Sequence, residues 1–258
     1  MKPLNLIAGL AVAASLATPA LAQVNLSAET ANANGVPGNT VLALGEFANA
    51  AGVANVQVAT GQTLTNSIQN VAEGKSDISA APFILPFLLS RGVGPYAKLG
   101  KDTGAEYADR LAVLYTYRLG VFTLSAYNSS SVKGWDSLEG KTIYNGPPRG
   151  AALTNARGVV KLATGLSDGE GYTGVQVNWD QAVKTMTDGS ADAFVLPSSF
   201  PDGRHTAAVA SGGITMWSMP KAAFESDATQ KYMKAPGSGK VDIPLSEAVQ
   251  PEGVKVVS

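Results

Sequence analysis

The chain has 258 residues, 19 Lys and Arg against 20 Asp and Glu, one His, no Cys and 45% hydrophobic residues. That length and apolar share suit a folded core, arranged as one large domain or two lobes, and a formal net charge of −1 gives no basic surface for a nucleic-acid partner. The absence of cysteine excludes disulfides, thiolate nucleophiles, iron–sulfur clusters and cysteine-ligated zinc, and the single imidazole, His205, excludes any site that needs two.

Lys2 is followed by an apolar run over residues 4–17, then by Pro19 and the small-x-small sequence Ala20-Leu21-Ala22. This is the pattern of a secretory signal peptide, residues 1–22, with Gln23 as the new first residue. The alternative is a membrane anchor, for which the run is short against the ~20 residues of a span. Loss of Lys2 takes the formal charge from −1 to −2. An exported chain without disulfides suits the bacterial periplasm.

Residues 24–30 read as a strand and 32–39 as a Gly/Pro/Asn loop. Residues 40–51 have helical spacing at Val41, Leu44, Phe47 and Ala48, with Thr40 as N-cap. A second strand is predicted over 53–59, a turn over 60–63, a helix over 64–72 and a short strand over 77–81, closed by Pro82. This β-α-β-α-β order builds parallel sheets with ligand sites at the strand C-termini. A helical stretch over 83–89 and a loop to residue 108 follow. Residues 111–124 are apolar, β-branched and aromatic enough for one strand or two.

A second unit then repeats the pattern. It has a turn and short helix over 132–138, strands over 142–145, 175–177 and 191–196, and helices over 151–163 and 179–187. Glu73-Gly74-Lys75-Ser76-Asp77 and Asp188-Gly189-Ser190-Ala191-Asp192 occupy equivalent places, each ending a helix on glycine before a strand. The predicted class is α/β with two lobes, each a mixed, mostly parallel sheet flanked by helices, joined by a hinge. Residues 23–118 form the first lobe, to which 206–258 return, and 119–205 form the second.

Several motifs carry a resemblance. They are Val58-Ala59-Thr60-Gly61-Gln62 with Asn66 on the following helix, Asp109-Arg110-Leu111-Ala112-Val113-Leu114-Tyr115, Trp135-Asp136-Ser137-Leu138-Glu139-Gly140-Lys141 and Asn145-Gly146-Pro147-Pro148-Arg149-Gly150. Together with the paired Gly-Asp phrases they resemble the extracytoplasmic solute-binding proteins of TRAP transporters, TAXI family, over most of the mature chain. The resemblance implies a Venus-flytrap receptor that binds a small solute between α/β lobes and passes it to membrane permease subunits. It also implies further helices after 254–257 on the first lobe. Two features depart from the family pattern: no aromatic pair precedes Pro37, and Arg149 stands where small hydroxyl residues are usual.

The residues themselves supply candidate ligand contacts. Thr60, Gln62 and Thr63 open a helix after a strand, where the helix dipole is positive, and Asn66 lies one turn on; the alternative is that they cap their helix. After Asn145, Gly146 to Gly150 does the same before the next helix, with Arg149 offering a bidentate contact and Gly150 ending the loop; the alternative is a solvated arginine. Asn32 and Asn34 follow the first strand, or serve as ordinary turn residues. Pro82 and Ser198 also stand at strand ends. Tyr115, Tyr117, Trp135 and Trp179 read as packing residues. His205, beside Asp202 and Arg204, reads as a surface histidine, since no Gly-x-Ser-x-Gly elbow is present.

No EF-hand or His-Glu-x-x-His pattern occurs, so no metal or cofactor is expected. The leading reading is a monomeric receptor for a small anionic, carboxylate-type solute, served by a TRAP permease. A receptor for an ABC importer or sensor kinase and, more distantly, an exported hydrolase using His205 are the alternatives.

Overall fold

The computed structural model describes residues 23–33, 35–199, 203–240 and 254–257. The predicted signal peptide 1–22 and Asn34 lie outside them. Among the described residues no helix is long and apolar enough to cross a membrane.

Strands β1 (Val24–Glu29), β2 (Ala54–Ala59) and β3 (Ile78–Ser79) form an all-parallel sheet in the order β2-β1-β3. Helix α1 (Val36–Ala50) joins β1 to β2, and α2 (Leu64–Ala72) joins β2 to β3. Parallel neighbours need such crossovers. Helix α2 buries Ser67, Ile68 and Ala72, and Leu64 packs against the same cluster, which gives one helical stripe. Helix α1 begins four residues before the predicted start. Pro37 in its first turn pre-sets helical φ, so the N-cap is Gly35 and not Thr40.

The stretch read as a loop up to residue 108 holds α4 (Gly100–Asp109), packed against α3 (Ile84–Arg91). Its polar sequence hides it, since only Tyr107 and Ala108 pack on the cluster that holds Leu85 and Leu89, and the closest approach is made by backbone. A Cβ added at Gly104 would meet the Leu89 carbonyl and lie 3.1 Å from Gly92 Cα. The strand predicted over 111–124 is present only from β4 (Val121–Tyr127). Residues 111–120 carry no strand, and Val113 and Leu114 are 71% and 67% exposed. Apolar, β-branched content does not make a strand unless a neighbouring edge takes up its N–H and C=O groups.

The second sheet has the order β6-β5-β7-β4-β8-β9. It contains β5 (Thr142–Tyr144), β6 (Thr173–Val175), β7 (Ala193–Ser198), β8 (Ile214–Trp217) and β9 (Val254–Val257) with β4. Strand β4 runs antiparallel to β7 and β8, and the other pairs are parallel. Strand β6 lies two residues before the predicted 175–177.

Helices α5 (Ala151–Thr164), α6 (Ala182–Thr187) and α7 (Gly203–Ser211) flank this sheet, with α8 (Lys221–Phe224) and α9 (Asp227–Tyr232) beyond. Of the stretch 206–258 expected to return to the first lobe, the described strands β8 and β9 belong to the second sheet. The four residues of β8 are all buried against the free edge of β4, and β9 extends the same sheet. The chain meets the first lobe at Gly237, whose added Cβ would stand 3.0 Å from Phe83 Cβ.

The second lobe holds the larger core, with Leu124, Trp135, Ile143, Val160 and Val195 in one cluster and Tyr144, Met186, Phe194 and Ile214 in another. The first lobe is packed around Ile68, Leu85, Leu89 and Tyr96. The architecture is α/β, with two sheets flanked by helices.

Candidate functional site

Helix starts decide where a site forms. Strands β1, β2, β5 and β7 all end on the side where α1, α2, α5 and α7 begin, and those ends face one cleft between the lobes. The cleft encloses about 140 Å³. The first lobe lines it with Asn32, Gly35 to Pro37, Thr63 to Thr65 and Pro82. The second lobe contributes Pro147, Arg149 to Ala152, Asn155, Trp179, Asp180, Val183, Pro197 and Arg204, and the crossing segment adds Leu119, Gly120 and Phe122. The lobes approach closely, since a Cβ at Gly150 would lie 3.8 Å from Thr65 Oγ1. Ala151 packs against the Ile68–Leu85–Leu89 cluster of the opposite lobe.

Three of these helices carry an uncompensated positive end. Helices α1, α2 and α5 have N-caps Gly35, Thr63 and Gly150, none with a side-chain cap hydrogen bond, and none has an acid in its first turn. The first N–H groups of a helix have no partner within it, and each helix start carries roughly half a positive charge. The start of α2 is braced from behind, where the buried Tyr96 hydroxyl donates to Thr65 O at 3.0 Å. Burial pushes that phenol above its ordinary pKa, so it stays a neutral donor.

The sequence candidates divide. Asn32, Thr63, Pro82, Arg149 and Gly150 line the cleft. Thr60 is exposed outside it, and Gln62 is turned to its own helix, its Oε1 accepting from Thr63 N at 2.9 Å and from Asn66 Nδ2 at 3.2 Å. Thus Gln62 and Asn66 serve the helix start and do not line the cleft. Asn145 is buried behind it, where its Oδ1 accepts from Gln176 Nε2 at 2.8 Å. That places it beside the Arg157–Asp168 ion pair, to which Gln176 also donates. Ser198 is buried at the end of β7 and does not line the cleft.

Three lining residues were read otherwise from sequence or not singled out. Trp179 packs on the second-lobe core but also lines the cleft. Arg204 is only 7% exposed, donates from Nη2 to Pro197 O at 2.6 Å and sits 5.2 Å from the Trp179 ring centroid. Phe122 lines the floor at the start of β4. The aromatic–cation spacing of Trp179 and Arg204 spans 25 positions and leaves no local motif. His205 is not on the surface. It is 2% exposed on α7, and its Nε2 hydrogen-bonds the buried Ser125 Oγ at 3.2 Å. Neither residue lines the cleft, so this pair offers no accessible nucleophile there. Among the described residues no group of three or more His, Cys, Asp or Glu is placed to hold a metal ion.

No protein-family model matches the chain, and no curated protein matches it. Solved structures do. An alkanesulfonate-binding protein from Xanthomonas axonopodis pv. citri, bound to MOPS, matches at 18% identity over 75% of this chain and 60% of its own, with a TM-score of 0.49. A TRAP periplasmic solute-binding protein from Ralstonia eutropha H16, with bound (S)-2-acetolactate, matches at 15% identity over 90% and 86%, with a TM-score of 0.46. A structure from Bordetella bronchiseptica RB50 matches at 18% identity over 75% and 56%, with a TM-score of 0.50. This chain therefore spans less than two thirds of the Xanthomonas and Bordetella structures. At 18% identity the likeness to the Bordetella structure is one of fold alone.

Proposed function

We propose that this protein is an extracytoplasmic receptor that closes two lobes on a small anionic, carboxylate-type solute and presents it to a membrane permease of the TRAP type. The observation that carries this reading is the convergence of three uncapped helix starts and Arg149 on one interlobe cleft. Backbone N–H groups and a guanidinium suit an oxyanion, and contributions from both lobes make the bound state the closed state. Ligand shifts the population toward closure only by its contacts with both sides.

In this reading Thr63 and the α2 start face Arg149 and Gly150 across the solute, with Asn32 and Pro82 at the rim. The permease class rests on the TAXI-like motifs, and export to the periplasm rests on the leader at 1–22.

A thermal-shift screen of the secreted protein against small anions, amino acids and sugars tests this. A ligand at ~100 times its Kd adds about 2.7 kcal/mol of stability. A hit that also compacts the protein in solution scattering is the expected result. No stabilisation by any compound of the screen refutes the receptor reading, and stabilisation by sugars alone refutes the anionic solute.

A further inference from the structure

We propose that the solute is an organic monoanion with a flat apolar body, its head taken by Arg149 and the helix starts and its body laid against Trp179 and Phe122. This rests on the cleft being the binding site and narrows what it takes.

The walls come first. Val36, Leu64, Phe122, Pro147, Trp179 and Val183 all line the cleft. The uncharged polar side chains in the lining are Asn32, Thr63, Thr65 and Asn155, and Asn155 Oδ1 already accepts from Tyr232 OH at 2.7 Å. A sugar buried here would lose water from more hydroxyls than such walls can satisfy. An apolar body loses nothing by the same transfer.

Charge sets the head. Arg149 is exposed to the cleft, and no ion pair among the described residues involves it. Asp180 is the one acid in the lining. Arg204 also lines the cleft, so the charged side chains sum to one formal positive charge, but Arg204 is nearly buried and gives Nη2 to Pro197 O; the exposed cation is Arg149, and the three helix starts add roughly half a positive charge each. A negative head near Arg149 answers the accessible part of that surplus. A second carboxylate at the other end of the solute would lie on apolar wall, against Asp180, or beside the nearly buried Arg204, whose Nη2 is already given to Pro197 O.

Shape agrees. The Trp179 ring is fixed on one side by Arg204 at 5.2 Å. At its six-membered end, Cη2 stands 3.6 Å from where a Gly146 Cβ would be. A fixed indole is a stacking platform for a planar or extended apolar group. The 140 Å³ volume lies below the roughly 300–1,000 Å³ of drug-sized pockets, so the body is of single-ring size.

Calorimetry on the secreted protein with phenylacetate, phenylacetamide, succinate, glutamate and glucose tests the assignment. Phenylacetate is expected to bind at least about tenfold more tightly than each of the others, the size of one charge-assisted contact. Arg149→Ala is expected to remove that preference over phenylacetamide while leaving the melting temperature of the unliganded protein unchanged. Trp179→Ala weakens phenylacetate, and Trp179→Phe restores most of it. Succinate, glutamate or glucose binding as tightly as phenylacetate overturns the monoanion assignment and leaves the cleft a receptor site. Equal phenylacetate affinity in Arg149→Ala overturns the placement of the head. No binding by any of the five overturns this proposal, while a hit in the wider screen would still uphold the receptor.

Discussion

Two glycines of α1 make opposed predictions from the same substitution. Gly38 and Gly45 are both buried. In a helix Gly→Ala ordinarily adds about 1 kcal/mol of stability. At Gly45 the new methyl would meet Val56 Cβ, Val56 O and Val58 Cγ2, each at 3.5 Å, which is ordinary contact. Gly45→Ala is therefore expected to stabilise by about 0.5–1.5 kcal/mol, through propensity and a buried methyl. At Gly38 the same methyl would stand 2.8 Å from Ala33 Cα and closer still to the Asn32 carbonyl oxygen. These are backbone atoms and cannot swing away. Overpacking of this kind costs about 1–3 kcal/mol, which against the propensity gain leaves a net loss of up to about 2 kcal/mol. Urea titration followed by tryptophan fluorescence reads both. With a slope of about 2–3 kcal/mol per molar, the Gly38→Ala midpoint falls by roughly 0.5 M and the Gly45→Ala midpoint rises. Asn32 lines the cleft, so Gly38→Ala should also weaken solute binding where Gly45→Ala does not. A Gly38→Ala protein as stable as Gly45→Ala would refute the close approach of α1 to the 32–33 chain.

Other substitutions probe the core and the acid response. Trp135→Ala empties a buried site and removes the Nε1 donation to Ser218 O at 2.8 Å, and chemical denaturation should show a loss of about 3–5 kcal/mol. Tyr96→Phe deletes the brace on Thr65 and should cost about 0.5–1.5 kcal/mol, with faster amide exchange at the start of α2 as its local sign. Burial pushes the Asp168 carboxyl up, but donation from the Arg157 guanidinium and from Gly174 N–H at 2.7 Å outweighs it and holds the carboxyl below its ordinary pKa. Its stabilisation is thus present above about pH 4 and is lost as pH falls through the depressed folded value. Asp168→Asn should flatten the acid limb of a stability–pH curve, and an unchanged limb would show that the pair contributes nothing.

Local rules were enough where one segment carried its own pattern. Helix α2 is bounded by Thr63 and Gly74 and buries one stripe, and the predicted 64–72 is the observed span. Helix α5 has the same clarity, starting after Gly150 and ending at the left-handed Gly165. Helix α4 failed because its packing uses bare backbone at Gly92 and Gly104, which no hydrophobic period records. Residues 111–120 failed because strand content depends on an available edge. The site divides the same way. Thr63 and Gly150 were visible as helix starts after strands, and both line the cleft. Gln62 and Asn66 share that motif but point along the helix, a choice set by side-chain geometry. Arg204 and Trp179 meet only because α6 and α7 pack together.

The position of the cleft also bears on how closure would work. The segment entering the second lobe passes Gly120, with φ at +149°, where an added Cβ would stand 3.0 Å from the Ser198 carbonyl oxygen. A side chain there is opposed both by conformation and by the backbone of β7, so the crossing is held close to the floor of the cleft. The facing contact is small by comparison. Gly150 and Ala151 touch Thr65 and the α2 cluster with little more than backbone and one methyl. Arg149 precedes those residues in the chain, so the group proposed to take the anion is a neighbour of the group that meets the opposite lobe. An anion held by Arg149 and the α2 start would add its attraction where the lobes already approach. In the proposed receptor, solute binding and closure would be one event, because the same short loop would make both contacts.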